Sequence, residues 1–105
     1  MKNKYDIPYA RNPFAPGSQL HALLEFFYAN PLIWIAMPTL AAACHSYVVH
    51  SRVSDIRKVP GLADIRNHVV NVRRGRNRAT YSYYIYVPPG CECPPPPTRH
   101  EIESR

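Results

Sequence analysis

Acidic side chains are scarce. Seven Asp and Glu face thirteen Lys and Arg in 105 residues, a formal net charge of +6 that favours anionic partners such as nucleic acid or a membrane surface. Cysteine is sparse as well: Cys44, Cys91 and Cys93 make an odd set, and no basic, apolar and small-residue segment opens the chain. A reducing compartment is the expectation, the cytoplasm of a prokaryote or of a host cell. No long uninterrupted apolar run is present either. Leu20 to Val49 is broken by Glu25, Asn30, Pro31, Pro38, His45 and Ser46, whereas a membrane helix needs about 20 apolar residues, so no membrane partner is expected. Catalytic patterns are missing too. His21, His45, His50, His68 and His100 show neither metal spacing nor a nucleophile beside them, and Cys91-x-Cys93 is closer than usual zinc pairs. No catalytic residue, metal or cofactor is assigned, and a non-enzymatic role follows.

Proline is abundant and unevenly placed. Twelve prolines must fall outside regular elements, and six of them lie from Pro88 onward, in PPGCECPPPPTRHEIESR. That stretch reads as a disordered, solvated tail over 88–105 with polyproline II character at Pro94 to Pro97. Residues 1–17 contain three prolines and no periodicity, and read as a flexible arm that Tyr9 and Phe14 could anchor. The folded domain is expected over 18–87.

Within it, Leu20, Leu23, Leu24, Phe27 and Tyr28 recur along one helical face after a candidate cap at Ser18. Leu32 to Ala36 is short, β-branched and flanked by prolines, so it reads as a buried strand that holds Trp34. Pro38 suits the first turn of a second helix, with Leu40, Ala43 and Cys44 on one face. A third helix is expected over Tyr47 to Lys58 with Ser46 as its cap and Val49, Val53 and Ile56 facing the core. Its other face carries Tyr47, His50, Ser51, Ser54, Arg57 and Lys58, nearly all hydrogen-bond donors. Two strands follow, Ile65 to Val72 and Thr80 to Val87, joined by Arg73-Arg74-Gly75-Arg76-Asn77-Arg78. Four arginines without an acid exceed what solubility asks of a hairpin tip, and they point to nucleic-acid contact.

The order is α+β: helix, short strand, helix, turn, helix and a two-stranded hairpin. From Ser18 to Val87 the chain resembles the small winged helix-turn-helix domains of phage and prophage proteins. The resemblance is carried by Ser51-Arg52-Val53-Ser54-Asp55-Ile56-Arg57, which is similar to the Ser-x-Arg-Ile/Val-x-Asp/Glu-Leu/Ile-Arg run of their third helix, with Ser and Arg adjacent here. Where such domains favour glycine in the turn, this chain has His45, which calls for a left-handed backbone or a remodelled turn. The resemblance implies three helices, a short strand and a C-terminal β-hairpin wing, binding double-stranded DNA as a transcriptional regulator or organiser of a mobile element's DNA. It also implies that the third helix enters the major groove while the wing meets backbone or minor groove.

Tyr47, His50, Ser51, Ser54, Arg57 and Lys58 are the candidate groove contacts; Arg73, Arg74, Arg76 and Arg78 are the candidate wing contacts. Four phosphates neutralised by the wing, plus helix contacts, give a slope of about −4 to −6 in log K against log salt. Arg52 and Asp55 read as bracing residues rather than contacts. Tyr81 and Tyr83 read as sheet packing. Tyr84 and Tyr86 face the other way, and an open face there would let them stack unpaired bases, which keeps RNA or single-strand binding as an alternative. A protein-interaction adaptor is another, with the Pro-rich tail on a partner's aromatic groove. A homodimer stays open, although no coiled coil or other dimerisation element is visible.

Overall fold

Ser18 starts the first element as expected: its hydroxyl accepts the His21 amide at 3.1 Å and caps α1, Gln19–Ala29. A computed structural model describes residues 11–103. After α1 come β1 (Ile35–Ala36), α2 (Met37–Cys44), α3 (Val49–Arg57), β2 (Asp64–Arg74), β3 (Asn77–Val87) and α4 (Arg99–Glu103). The described residues form an α+β fold, with four helices and a three-stranded antiparallel sheet in the order β1-β3-β2. That is one helix more than the residues led us to expect. The strand after α1 is shorter than expected, two residues that pair Ile35 with Tyr84 and Ala36 with Tyr83. The hairpin is longer than expected, with an unbroken register from Asp64 opposite Val87 to Arg74 opposite Asn77.

The first three helices build one core on one face of the sheet. Leu23, Leu24 and Phe27 of α1, Leu40 and Cys44 of α2, and Val49, Val53 and Ile56 of α3 close over Ile65, Tyr84 and Tyr86. Burial pushes the Cys44 thiol up from its ordinary value. Tyr84 and Tyr86 are 1% and 2% exposed. The face proposed for base stacking is therefore the core itself, and these tyrosines cannot serve as a platform for single strands. Their phenols are held above the ordinary range by the same burial.

Strand alternation places Val70, Val72, Tyr81 and Tyr83 on the opposite face. That face is apolar too, and the C-terminal stretch covers it. Trp34 Nε1 donates to the Pro94 carbonyl at 3.0 Å, and Ile102 of α4 is buried against Val70, Val72 and Tyr83. The tail expected to be solvated is thus docked through Pro94 and Ile102. Its helix is capped by Thr98, whose Oγ1 accepts the Glu101 amide at 3.2 Å and donates to the Glu101 carboxylate at 3.2 Å. The N-terminal arm is corrected in the same sense over 11–17. Tyr28 Oη donates to the Arg11 carbonyl at 2.6 Å, Asn12 Nδ2 donates to the His21 carbonyl at 3.2 Å, and Phe14 packs on the core. Residues 1–10, Tyr9 included, lie outside the described residues. Among the described residues no helix is long and apolar enough to cross a membrane.

Candidate nucleic-acid interface

The turn before α3 sets the angle at which that helix leaves the core. His45 ends α2 in the left-handed region, φ 53° and ψ 42°, and the Ser46 amide donates back to the Ala41 carbonyl at 3.1 Å, the Schellman pattern of helix ends. Gln19 Nε2 ties the turn to α1 by donating to the His45 carbonyl at 2.8 Å. Ser46 is buried, and its hydroxyl accepts the Val48 amide at 3.1 Å rather than capping the helix at its first turn; α3 begins two residues later than expected. Tyr47 and Val48 are left exposed on the turn.

The outer face of α3 is polar, as its spacing requires, but its side chains are not equally available. Ser51 and Ser54 are exposed, while the exposed His50 is engaged inward through a contact between its Nδ1 and the Tyr84 hydroxyl. The two rings meet edge to face, with centroids 5.5 Å apart. Arg57 is engaged as well. Its Nε and Nη2 donate to the Ile65 carbonyl at 2.9 and 2.7 Å, a fork that fixes the end of α3 to the start of β2. Lys58 points outward beside Asp55 at 3.8 Å, an exposed pair that contributes little to stability. Asp55 also lies 3.9 Å from Arg52, whose Nε is buried without a hydrogen-bond partner. Asp55 thus holds a neighbouring arginine, as expected, and the Arg52 contact described lies within α3 rather than on the first helix or the hairpin.

The arginine segment differs from the six-residue tip that its composition suggested. Gly75 and Arg76 alone form the turn, and Gly75 occupies the first central position with φ 61°, which a type II′ hairpin turn reserves for glycine. Arg73 and Arg78 lie within the ladder as direct register partners. Arg74 closes β2 against Asn77, and its side chain lies outside the described residues. Arg73, Arg76 and Arg78 are exposed. Ladder alternation puts Asn67, Val69, Asn71 and Arg73 on the face that carries α3 nearer the base of the hairpin, together with Ser82, Thr80 and Arg78. From the Asn67–Tyr84 pair to the Arg74–Asn77 pair the strands run on for about 24 Å at the usual rise, past the core that α1, α2 and α3 build.

Residues not singled out from the sequence join this surface. Asn71, Val72, Arg73, Arg78, Thr80 and Arg99 line a shallow cleft of about 510 Å³. Arg99 was hidden in a tail read as solvated; the Thr98-x-x-Glu101 capping pattern was the local signal that could have revealed its helix. Among the described residues no group of three or more His, Cys, Asp or Glu side chains could hold a metal ion. No protein-family model, curated protein or solved structure matches the chain.

Proposed function

We propose that this protein is a winged helix-turn-helix domain that binds double-stranded DNA, α3 entering the major groove and the β2–β3 hairpin acting as the wing. The observation that carries the reading is a shared side. The polar outer face of α3 and the exposed Arg73 and Arg78 of the hairpin stand on the same side of the sheet, in a chain with six more basic than acidic groups. The order of elements up to β3 and the sheet order β1-β3-β2 support the fold assignment.

The mechanism divides the contacts by how far each side chain is already committed. Ser51 and Ser54 of α3, Tyr47 on the turn before it and the exposed Lys58 at its end are the groups that meet base edges or phosphates, with His50 and Arg57 acting first as positioning residues for the helix. A hairpin that projects about 24 Å past its contact with α3 spans more than the roughly 12 Å width of the major groove, so its arginines reach the flanking backbone or minor groove. The regulatory or DNA-organising role belongs to the same proposal, as does the cytoplasmic setting. A second copy of the chain would double the half-site.

Fluorescence anisotropy on a mixed-sequence duplex, titrated with salt, tests the reading. The intact protein should show a slope of about −4 to −6, and a chain with Arg73, Arg74, Arg76 and Arg78 replaced by alanine should be flatter by up to about 3.6, four phosphates at 0.9 each. An absence of binding at low salt would sink the proposal.

A further inference from the structure

The hairpin contains an arrangement that folding alone does not reward. Arg73 and Arg78 are exposed and directly opposite each other in the ladder, and like charges at such positions destabilise a strand pair. Both open onto the cleft that Arg99 completes from α4, the helix packed on the other face of the sheet. Among the side chains that are described, Glu103 not being one of them, no aspartate or glutamate lines that cleft. Its remaining walls are polar for the most part: the Thr80 hydroxyl donates to Asn71 Oδ1 at 2.9 Å, and the Asn71 amide nitrogen is a further donor.

We propose that this cleft is a phosphate site, in which Arg73, Arg78 and Arg99 hold one phosphate group with Asn71 and Thr80 beside it. Guanidinium forks match phosphate oxygens bidentately, and three of them around one shallow cleft form a receptor for that charge and shape. A phosphate between Arg73 and Arg78 also removes their mutual repulsion, so binding and hairpin stability are linked. The source of the phosphate rests on the DNA reading: it is a backbone phosphate of the duplex, and a free polyphosphate shares its chemistry. The C-terminal segment thereby becomes part of the interface.

Inorganic tripolyphosphate, added to the full chain at low ionic strength, is the probe. It should raise the thermal midpoint to a plateau in the wild type, less in R99Q, and not at all in R73Q/R78Q, with circular dichroism confirming that each variant is folded. R78E places a carboxylate opposite Arg73. It should raise the midpoint without any anion and abolish the response to one. On the duplex, R99Q should reduce the salt slope by about 0.9, the share of one phosphate. A tripolyphosphate response that persists in R73Q/R78Q overturns the site, as does an R99Q chain that matches the wild type in both assays; either result leaves duplex binding by α3 intact. If tripolyphosphate responds to the three arginines while the duplex does not bind, the duplex is overturned as the source and a free anion takes its place.

Discussion

Shortening Ile102 to alanine tests how the C-terminal segment is held. Ile102 is 4% exposed and packs on Val70, Val72 and Tyr83. In a core, removing the outer carbons of a buried isoleucine costs about 2–5 kcal/mol. Here the cost has a ceiling. α4 is five residues long and follows an extended, proline-rich stretch, so once its own docking free energy is lost the segment detaches and the helices and hairpin persist. A loss of about 2 kcal/mol changes the docked-to-detached ratio about 30-fold. The reporter is built in, because Trp34 is the single tryptophan and its indole donates to the Pro94 carbonyl. Emission should move to the red in I102A and further in I102D, where docking would bury an unpaired carboxylate. The Ile102 amide, which donates to the Thr98 carbonyl at 3.1 Å, should exchange faster in both. If I102D left the Trp34 emission and the exchange of that amide unchanged, the docked segment would be refuted.

Three further perturbations have worked-out directions. His45→Gly relieves a left-handed non-glycine residue, worth about 1–2 kcal/mol, against about 0.4–1 kcal/mol of added unfolded-chain entropy, for a net gain near 0.5 kcal/mol. Calorimetry should show a midpoint higher by about 2–4 °C, and a lower one would refute the strain. Arg57→Lys keeps the charge but loses the fork on the Ile65 carbonyl, and urea unfolding should register a loss of about 1 kcal/mol; no loss would leave Arg57 as a contact residue alone. Tyr84 and Tyr86 have phenols raised above their ordinary value of 10.0, so the unfolded chain releases those protons first. Their stabilising contribution is whole below pH 10 and declines as pH rises through the folded values. Urea midpoints measured across that range should fall in the wild type and fall less in Tyr86→Phe, provided the two chains are compared at equal ionic strength.

Much of this architecture was legible because it is written in short-range pattern. The Ser18 cap and the stripe from Leu20 to Tyr28 specify α1 without reference to the rest of the chain. Val49, Val53 and Ile56 mark the buried side of α3 by spacing alone, and every one of them is buried. The alternation of Thr80 to Val87 predicted a strand for the same reason. His45 was recognisable as the residue that would need a left-handed backbone, because the turn's demand is local. The polar face of α3 was legible too, but how far its side chains are committed was not, since the partner of His50 lies on β3, far along the chain, and that of Arg57 on β2, beyond the turn that ends the helix.

Local pattern determined where helices and strands form, which side of α1 and α3 is apolar, and that the exposed surface is rich in arginine. Tertiary structure decided the rest. Alternation says that a strand has two faces but not which element covers each, and both faces of β3 are apolar. Three helices cover Tyr84 and Tyr86, which removes them as a stacking platform, and among the described residues the C-terminal segment covers Tyr83 and its neighbours. Proline-rich composition argued against order there, because the chain entropy and the missing amide donors are local costs. One buried isoleucine, one indole hydrogen bond and a threonine cap offset those costs, and the surface that makes them favourable is contributed by β1, β2 and β3, remote in sequence.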